Sequence, residues 1–288
     1  MQGLSELFPD VSQRKMHKWF GLNRSTTWRH QTNHSSKVID LDKVRQQKQL
    51  KDRIHELVRK YPTWGYRRIW AWLKHRDGML INRKKVYRIM RENRWQARKI
   101  INTPRPRVQD KRSVAPKPNA RWAIDATSLW STKDGWIGLM AVIDCCTRQI
   151  VGYEVAKRGR AVEASAALEE ACLAQFGLVY PKAGQTRLML RSDNGKVFTS
   201  KLFVRRCKQY GLEQEFTTPY CPQQNGMIER FFRTLKEECV WQYNFESFSQ
   251  AKQKIDEFMV FYNTQRPHQS LGYLSPAEFS AQLSLQVA

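Results

Sequence analysis

Apolar positions along the chain change their period near residue 119. From about Leu41 to Lys60, Leu50, Ile54, Leu57 and Val58 recur at helical spacing. Tyr61-Pro62 then stops the helix, because the residue before proline avoids the helical region. A second helical run follows from Trp64-Gly65-Tyr66 to Trp72 and Leu73. After a turn, Asn82 is placed to cap a helix over Arg83 to Asn93, with Val86, Ile89 and Met90 on its buried side. Beyond Asn119 the pattern becomes that of strands. Trp122 to Trp130, Trp136 to Asp144 and Gln149 to Val155 read as an antiparallel meander, with turns at Asp134-Gly135 and Cys146 to Arg148. Helices are then predicted over Ala161 to Phe176 and Ser200 to Tyr210, a long one over Pro222 to Val240, and another over Phe248 to Tyr262. Short strands are predicted at Leu188 to Arg191 and Glu213 to Phe216. The order describes an all-α region followed by an α/β domain with a mixed central sheet.

The N-terminal stretch reads as a short helical pair, with Val11 to Phe20 as one helix, Gly21 as the turn and Asn23 to His30 as the other. It fits a helix-turn-helix with Arg24, Ser25, Thr26 and Trp28 near the exposed face, or an ordinary helical hairpin. Residues 100–119 hold Pro104, Pro106, Pro116 and Pro118 among Arg and Lys, the composition of a stiff basic linker. The expected division is residues 1–40, a helix-turn-helix; 41–99, a basic helical DNA-binding domain; 100–119, the linker; and 120–288, the α/β domain with a helical tail.

Charge changes this picture. The formal net charge is +24 over 288 residues, which points to a polyanionic partner, most simply nucleic acid. Residues 1–120 hold 30 Lys and Arg against 9 Asp and Glu, a net of +21, whereas residues 121–288 hold 20 against 17, a net of +3. Arg24, Arg67, Arg68, Arg83, Lys84, Lys85 and Arg88 are therefore expected to contact DNA, the alternative being a solvated basic face. All six cysteines follow residue 144 and none forms a C-x-x-C pair, which excludes an N-terminal Cys/His zinc module. No apolar run approaches membrane-spanning length, and the first residues do not read as a signal peptide. A cytoplasmic protein with reduced thiols and no membrane partner is expected.

Three carboxylates then draw notice: Asp125 in R-W-A-I-D-A-T, Asp193 in R-S-D-N-G, and Glu229, with 35 residues between the last two. Phosphodiester chemistry needs an activated oxygen nucleophile and help for the leaving 3′ oxygen, and two divalent ions held by a few carboxylates supply both. Helical spacing puts Asn225, Glu229, Phe232, Arg233 and Lys236 on one side, with Ile228, Phe231, Leu235 and Cys239 toward the core. That side would set a metal carboxylate beside two cations suited to phosphate, so Asn225, Arg233 and Lys236 are expected to contact DNA. Taken singly, Glu229 and Arg233 fit a surface ion pair, and Asp-Asn-Gly fits a turn.

Taken together, W-A-I-D-A-T, R-S-D-N-G and P-Y-C-P-Q-Q-N-G-M-I-E-R-F-F-R-T-L-K resemble the Asp-Asp-Glu core of retroviral integrases and insertion-sequence transposases. Tyr262 to Phe279, Y-N-T-Q-R-P-H-Q-S-L-G-Y-L-S-P-A-E-F, is similar to the ending of OrfB-type bacterial transposases. The segments G-Y-R-R-I-W-A-W-L and I-N-R-K-K-V-Y-R-I-M-R-E-N resemble their helical DNA-binding part. The resemblance implies a ribonuclease-H-like fold, with Asp125, Asp193 and Glu229 as catalytic metal ligands and Lys236 on the transposon end. It implies two Mg²⁺ ions, with Mn²⁺ able to substitute, and metal-dependent cleavage and strand transfer on double-stranded DNA, at both element ends and target. It further implies a homo-oligomer on DNA and a bacterial, nucleoid-associated location. No heptad run is present, so an upstream-frame partner protein is a candidate source of a missing multimerisation segment. Rival readings are a structure-selective nuclease of the same fold and a non-catalytic DNA-binding repressor.

Overall fold

The computed structural model describes residues 11–19, 21, 41–97, 115–177, 188–218 and 222–287. The chain divides into two units, Met1–Arg53 and Ile54–Ala288. In the first, α1 spans Gln13–Trp19 and α2, Leu41–Lys60, begins. The second half of the expected helix-turn-helix, with Arg24, lies outside the described residues, as does most of the expected linker.

The second unit opens with the end of α2, where Ile54 and Leu57 are buried. Next come α3, Tyr66–His75, and α4, Arg83–Glu92. The Asn82 side chain accepts from the Lys84 N–H at 2.8 Å, satisfying one of the free donors that open a helix. Val86, Ile89 and Met90 are buried while Arg83, Lys84, Lys85 and Arg88 stay exposed, as the periodicity predicts.

The sheet is built from β1 (Arg121–Ser131), β2 (Gly135–Asp144), β3 (Ile150–Ala156), β4 (Met189–Ser192) and β5 (Glu213–Phe216). Its order is β3-β2-β1-β4-β5. The first three strands pair antiparallel, and β4 and β5 add parallel to β1. Helices cover both faces, so the strand period sorts side chains into two cores. Trp122, Ile124, Met140 and Val142 meet α5 (Ala161–Phe176) and α6 (Lys201–Gln209). Ala123, Leu129, Ala141 and Ile143 meet α7 (Gly226–Glu238) and α8 (Phe248–Thr264). α5 approaches β3 closely because Gly152 has no Cβ; one there would collide with the Ala167 carbonyl oxygen.

One prediction needs correction. Pro222 to Val240 is not one helix. Pro222–Asn225 is a 3₁₀ turn, α7 begins at Gly226, and Val240–Gln242 is again 3₁₀. The Gln224 carbonyl accepts from Arg191 at 2.9 Å. Proline and glycine at the two ends of the first turn loosen the helical ladder there. After α8, a 3₁₀ turn leads to α9, Pro276–Val287.

α3 is tied to this C-terminal part. The Trp70 ring meets Tyr273 edge-on, and Arg76 pairs with Glu278. Trp64 and Arg68 both reach Glu238 at the end of α7.

Candidate active site

Strand register brings the first two carboxylates together. Trp122 pairs with Leu190 and Ala123 with Arg191 across the parallel β1–β4 ladder. Two positions further on, the same register sets Asp125 beside Asp193, with neighbouring backbones about 5 Å apart. Ala123 faces α7, so the period of two turns Asp125 to the same side. Glu229 projects from the first turn of α7, where the helix dipole favours a negative charge.

Electrostatics agree with this placement. The Asp125 carboxyl is pushed up to about 6, first by burial and then by the negative charges of Asp193 and Glu229; a hydrogen bond from the Ala126 N–H opposes the rise. That bond is 2.7 Å. Asp193 is exposed, and its Oδ1 accepts from the Gly195 N–H at 2.9 Å. A Cβ at Gly195 would stand 2.9 Å from that oxygen, so glycine keeps the carboxylate uncrowded. Asp125 feels both of the other acids, yet among the described residues no three acid, His or Cys side chains converge into a ready metal cage.

The supporting residues were not evident from spacing. Arg191, 7% exposed, donates to both Glu215 oxygens at 3.0 Å and to the Gln224 carbonyl at 2.9 Å. One side chain thus fixes β4, β5 and the turn that launches α7. Asn194 donates to the Thr217 carbonyl at 2.8 Å, and Thr218 N–H donates to Gln224 Oε1 at 2.9 Å. The only sequence signal was an arginine one position from a serine inside a strand, which is not distinctive.

The flanking residues divide. Asn225 and Phe232, grouped by spacing on the polar side of the helix with Glu229, are buried at 4% and 6% exposure. α7 is covered over more than one stripe because it sits against both the sheet and α8. Arg233 pairs with Glu237 at 2.8 Å. Lys236 is half-buried, and neither neighbouring acid is left to it, since Glu238 is taken by Arg266 and Arg68. Arg67, Arg83, Lys84, Lys85 and Arg88 are exposed, whereas Arg68 bonds Glu238 at 2.9 Å.

A five-stranded sheet of this order, with helices on both faces, one acid within β1 and another just past the end of β4, defines a ribonuclease-H-like core. The family models agree. Two models described as integrase core domain match residues 115–222 and 210–276, and an HTH-like domain model matches residues 45–100. The chain is 31% identical over 236 residues to transposase InsD for insertion element IS2A/D/F/H/I/K of Escherichia coli, covering 80% of this chain and 77% of that protein. It is also 31% identical over 240 residues to an uncharacterized protein of insertion element IS476 from Xanthomonas euvesicatoria, covering 83% of this chain and 66% of that one. Among solved structures, the catalytic core domain of BIV integrase aligns with a TM-score of 0.43 at 22% identity, over 58% of this chain and 97% of that one. The chain belongs to the insertion-element transposase family, whose enzymes are polynucleotidyl transferases built on an integrase core. Among the described residues no helix is long and apolar enough to cross a membrane.

Proposed function

We propose that this chain cuts double-stranded DNA at the ends of its element and joins the freed 3′ ends to target DNA. The observation that carries this reading is the β1–β4 register, which sets Asp125 beside Asp193 on the side of the sheet that faces Glu229's helix. Burial, and after it the like charges of Asp193 and Glu229, push the Asp125 carboxyl up, a cost that a cation held among the three would offset. The site's donors are all hard oxygens, which suits Mg²⁺, with Mn²⁺ as substitute. Asp125, Asp193 and Glu229 would be the ligands. When bound, a pair of such ions activates the attacking oxygen and stabilises the leaving one.

The chain's own residues supply position. Arg191 holds the strand end and the launch of α7 in one frame, so Asp193 and Glu229 keep their spacing. Lys236, further along α7, offers a cation to a phosphate of the element's end. The exposed Arg83, Lys84, Lys85 and Arg88 on α4, with Arg67, hold backbone phosphates without reading sequence. A homo-oligomer assembled on DNA, with an upstream-frame partner where one is required, would pair the two ends.

Asp125→Asn, Asp193→Asn and Glu229→Gln are each expected to abolish cleavage and joining on duplexes ending in the element's terminal sequence, with DNA binding retained. Near-normal joining by any of the three would sink the assignment. Cutting without joining by the wild-type chain would instead favour a nuclease.

A further inference from the structure

A cavity of about 370 Å³ opens beside α7 and is lined by four guanidinium groups, Arg68, Arg148, Arg230 and Arg266, with Thr234 and His268. Two acids stand near, and both are spoken for. Glu238 is held by Arg266 and Arg68, and Glu237 is held by Arg233. Among the described residues no ion pair engages Arg148 or Arg230. The positive charge is crowded enough that burial, then Arg266 and Arg230, holds Arg68 down to about 10 against the pull of Glu238.

Two further features of the cavity wall bear on what it holds. His268 is 6% exposed and its Nε2 has no hydrogen-bond partner; with the ring neutral and its N–H turned to the Tyr262 backbone, that nitrogen accepts and would meet a phosphate only through a water. Arg148 sits in the β2–β3 turn at φ 61°, a left-handed conformation that a residue with a Cβ adopts at a cost. The hairpin itself accounts for that conformation, since the Arg148 N–H donates to the Asp144 carbonyl at 2.9 Å and closes the turn; the turn carries an unpaired guanidinium into the cavity wall.

The cavity lies along the same side of the sheet as the carboxylates. Its wall includes Ile143, which pairs with Ala123, two residues before Asp125. Arg230 directly follows Glu229 in α7. We propose that this arginine cavity seats a backbone phosphate of the DNA and so fixes where the strand crosses the three carboxylates. The proposal rests on the strand-transfer reading above. Guanidinium groups suit the task because their planar forks match phosphate oxygens two at a time.

The test uses the full chain and a short duplex of arbitrary sequence, with affinity measured across a salt series. Arg148→Gln with Arg230→Gln is expected to flatten the log K against log salt slope by about 0.9 for each phosphate no longer neutralised. Arg148→Lys with Arg230→Lys keeps both charges and is expected to retain most of the slope, which separates a missing charge from a failure to fold. Asp125→Asn is expected to leave the slope unchanged. If that variant still joined strands, the strand-transfer reading would fail while the slope result stood by itself. In a second arm, thermal midpoints in sodium phosphate and sodium chloride are compared at equal ionic strength. Phosphate is expected to raise the wild-type midpoint and not that of the glutamine pair. An unchanged DNA slope in the glutamine pair overturns the proposal. Phosphate stabilisation with that slope unchanged would mark a small-anion site instead, which also overturns it.

Discussion

The outer face of α4 and the cluster around Glu238 are both rich in basic residues, yet they behave differently. On α4, Arg83, Lys84, Lys85 and Arg88 stand in water, and the Arg88–Glu92 pair is 4.0 Å long with both side chains about two thirds exposed. Water screens such charges, so they add little to folding and remain free for a polyanion. Around Glu238 the side chains of Arg266 and Glu238 are 4% and 6% exposed, with bonds of 2.7 and 2.8 Å. Burial pushes the Glu238 carboxyl up, but Arg266, Arg68 and the Trp64 N–H outweigh it and hold it below the usual carboxylate range. A cation's task therefore follows from its solvent and its neighbours, not from its place in a basic stretch. Arg67 and Arg68 are adjacent in sequence; the first is exposed, and the second is held by Glu238.

Removing the acid from the buried cluster should have the largest effect on stability. Glu238→Ala strips Arg266 and Arg68 of their counter-charge and is expected to cost about 3–5 kcal/mol in denaturant unfolding. A loss under about 1 kcal/mol would mean that the cluster behaves like a surface pair.

Acid should act on the same cluster. Burial first, then Arg266, Arg68 and Arg148, pushes the His268 imidazole down from 6.5 to about 3. Unfolding raises its proton affinity, so its contribution is full above pH 6.5 and is lost as pH falls toward about 3. Between about pH 7 and about pH 5 the expected loss is roughly 2 kcal/mol, at 1.36 kcal/mol per unit. Glu238, whose carboxyl lies below its ordinary value, adds a further loss only in more acidic solution. Urea midpoints of wild type and His268→Asn across this range check the point. A parallel decline in both would remove His268 from the account.

The smallest stability change belongs to α4. Lys84→Ala with Lys85→Ala should shift folding by no more than about 0.5 kcal/mol. The same pair should still flatten the salt dependence of DNA binding by about 0.9 for each phosphate left without its cation. A large stability loss with unchanged DNA affinity would erase the contrast between the two regions.

Local order was legible where it depends on neighbours in sequence. α5 over Ala161–Phe176 and β5 over Glu213–Phe216 fall where their patterns predict, and Asn82 caps α4 as its side chain allows. Asp125 could be placed within the first strand and Asp193 at the end of the fourth because the strand period reveals where each strand runs. Asn225 and Phe232 were misjudged because spacing defines a helix face but not how wide a strip of it other elements cover.

Periods, caps, the imbalance of charge and the motifs that carry the family resemblance can all be read from the chain alone, because each acts over a few residues. Which acids meet and which cations are spent was settled in three dimensions. The β1–β4 register joins residues 68 positions apart, and Glu238 gathers Trp64 and Arg68 from 174 and 170 positions away. Such pairings depend on which surfaces exclude water together, and chain-local chemistry does not encode that.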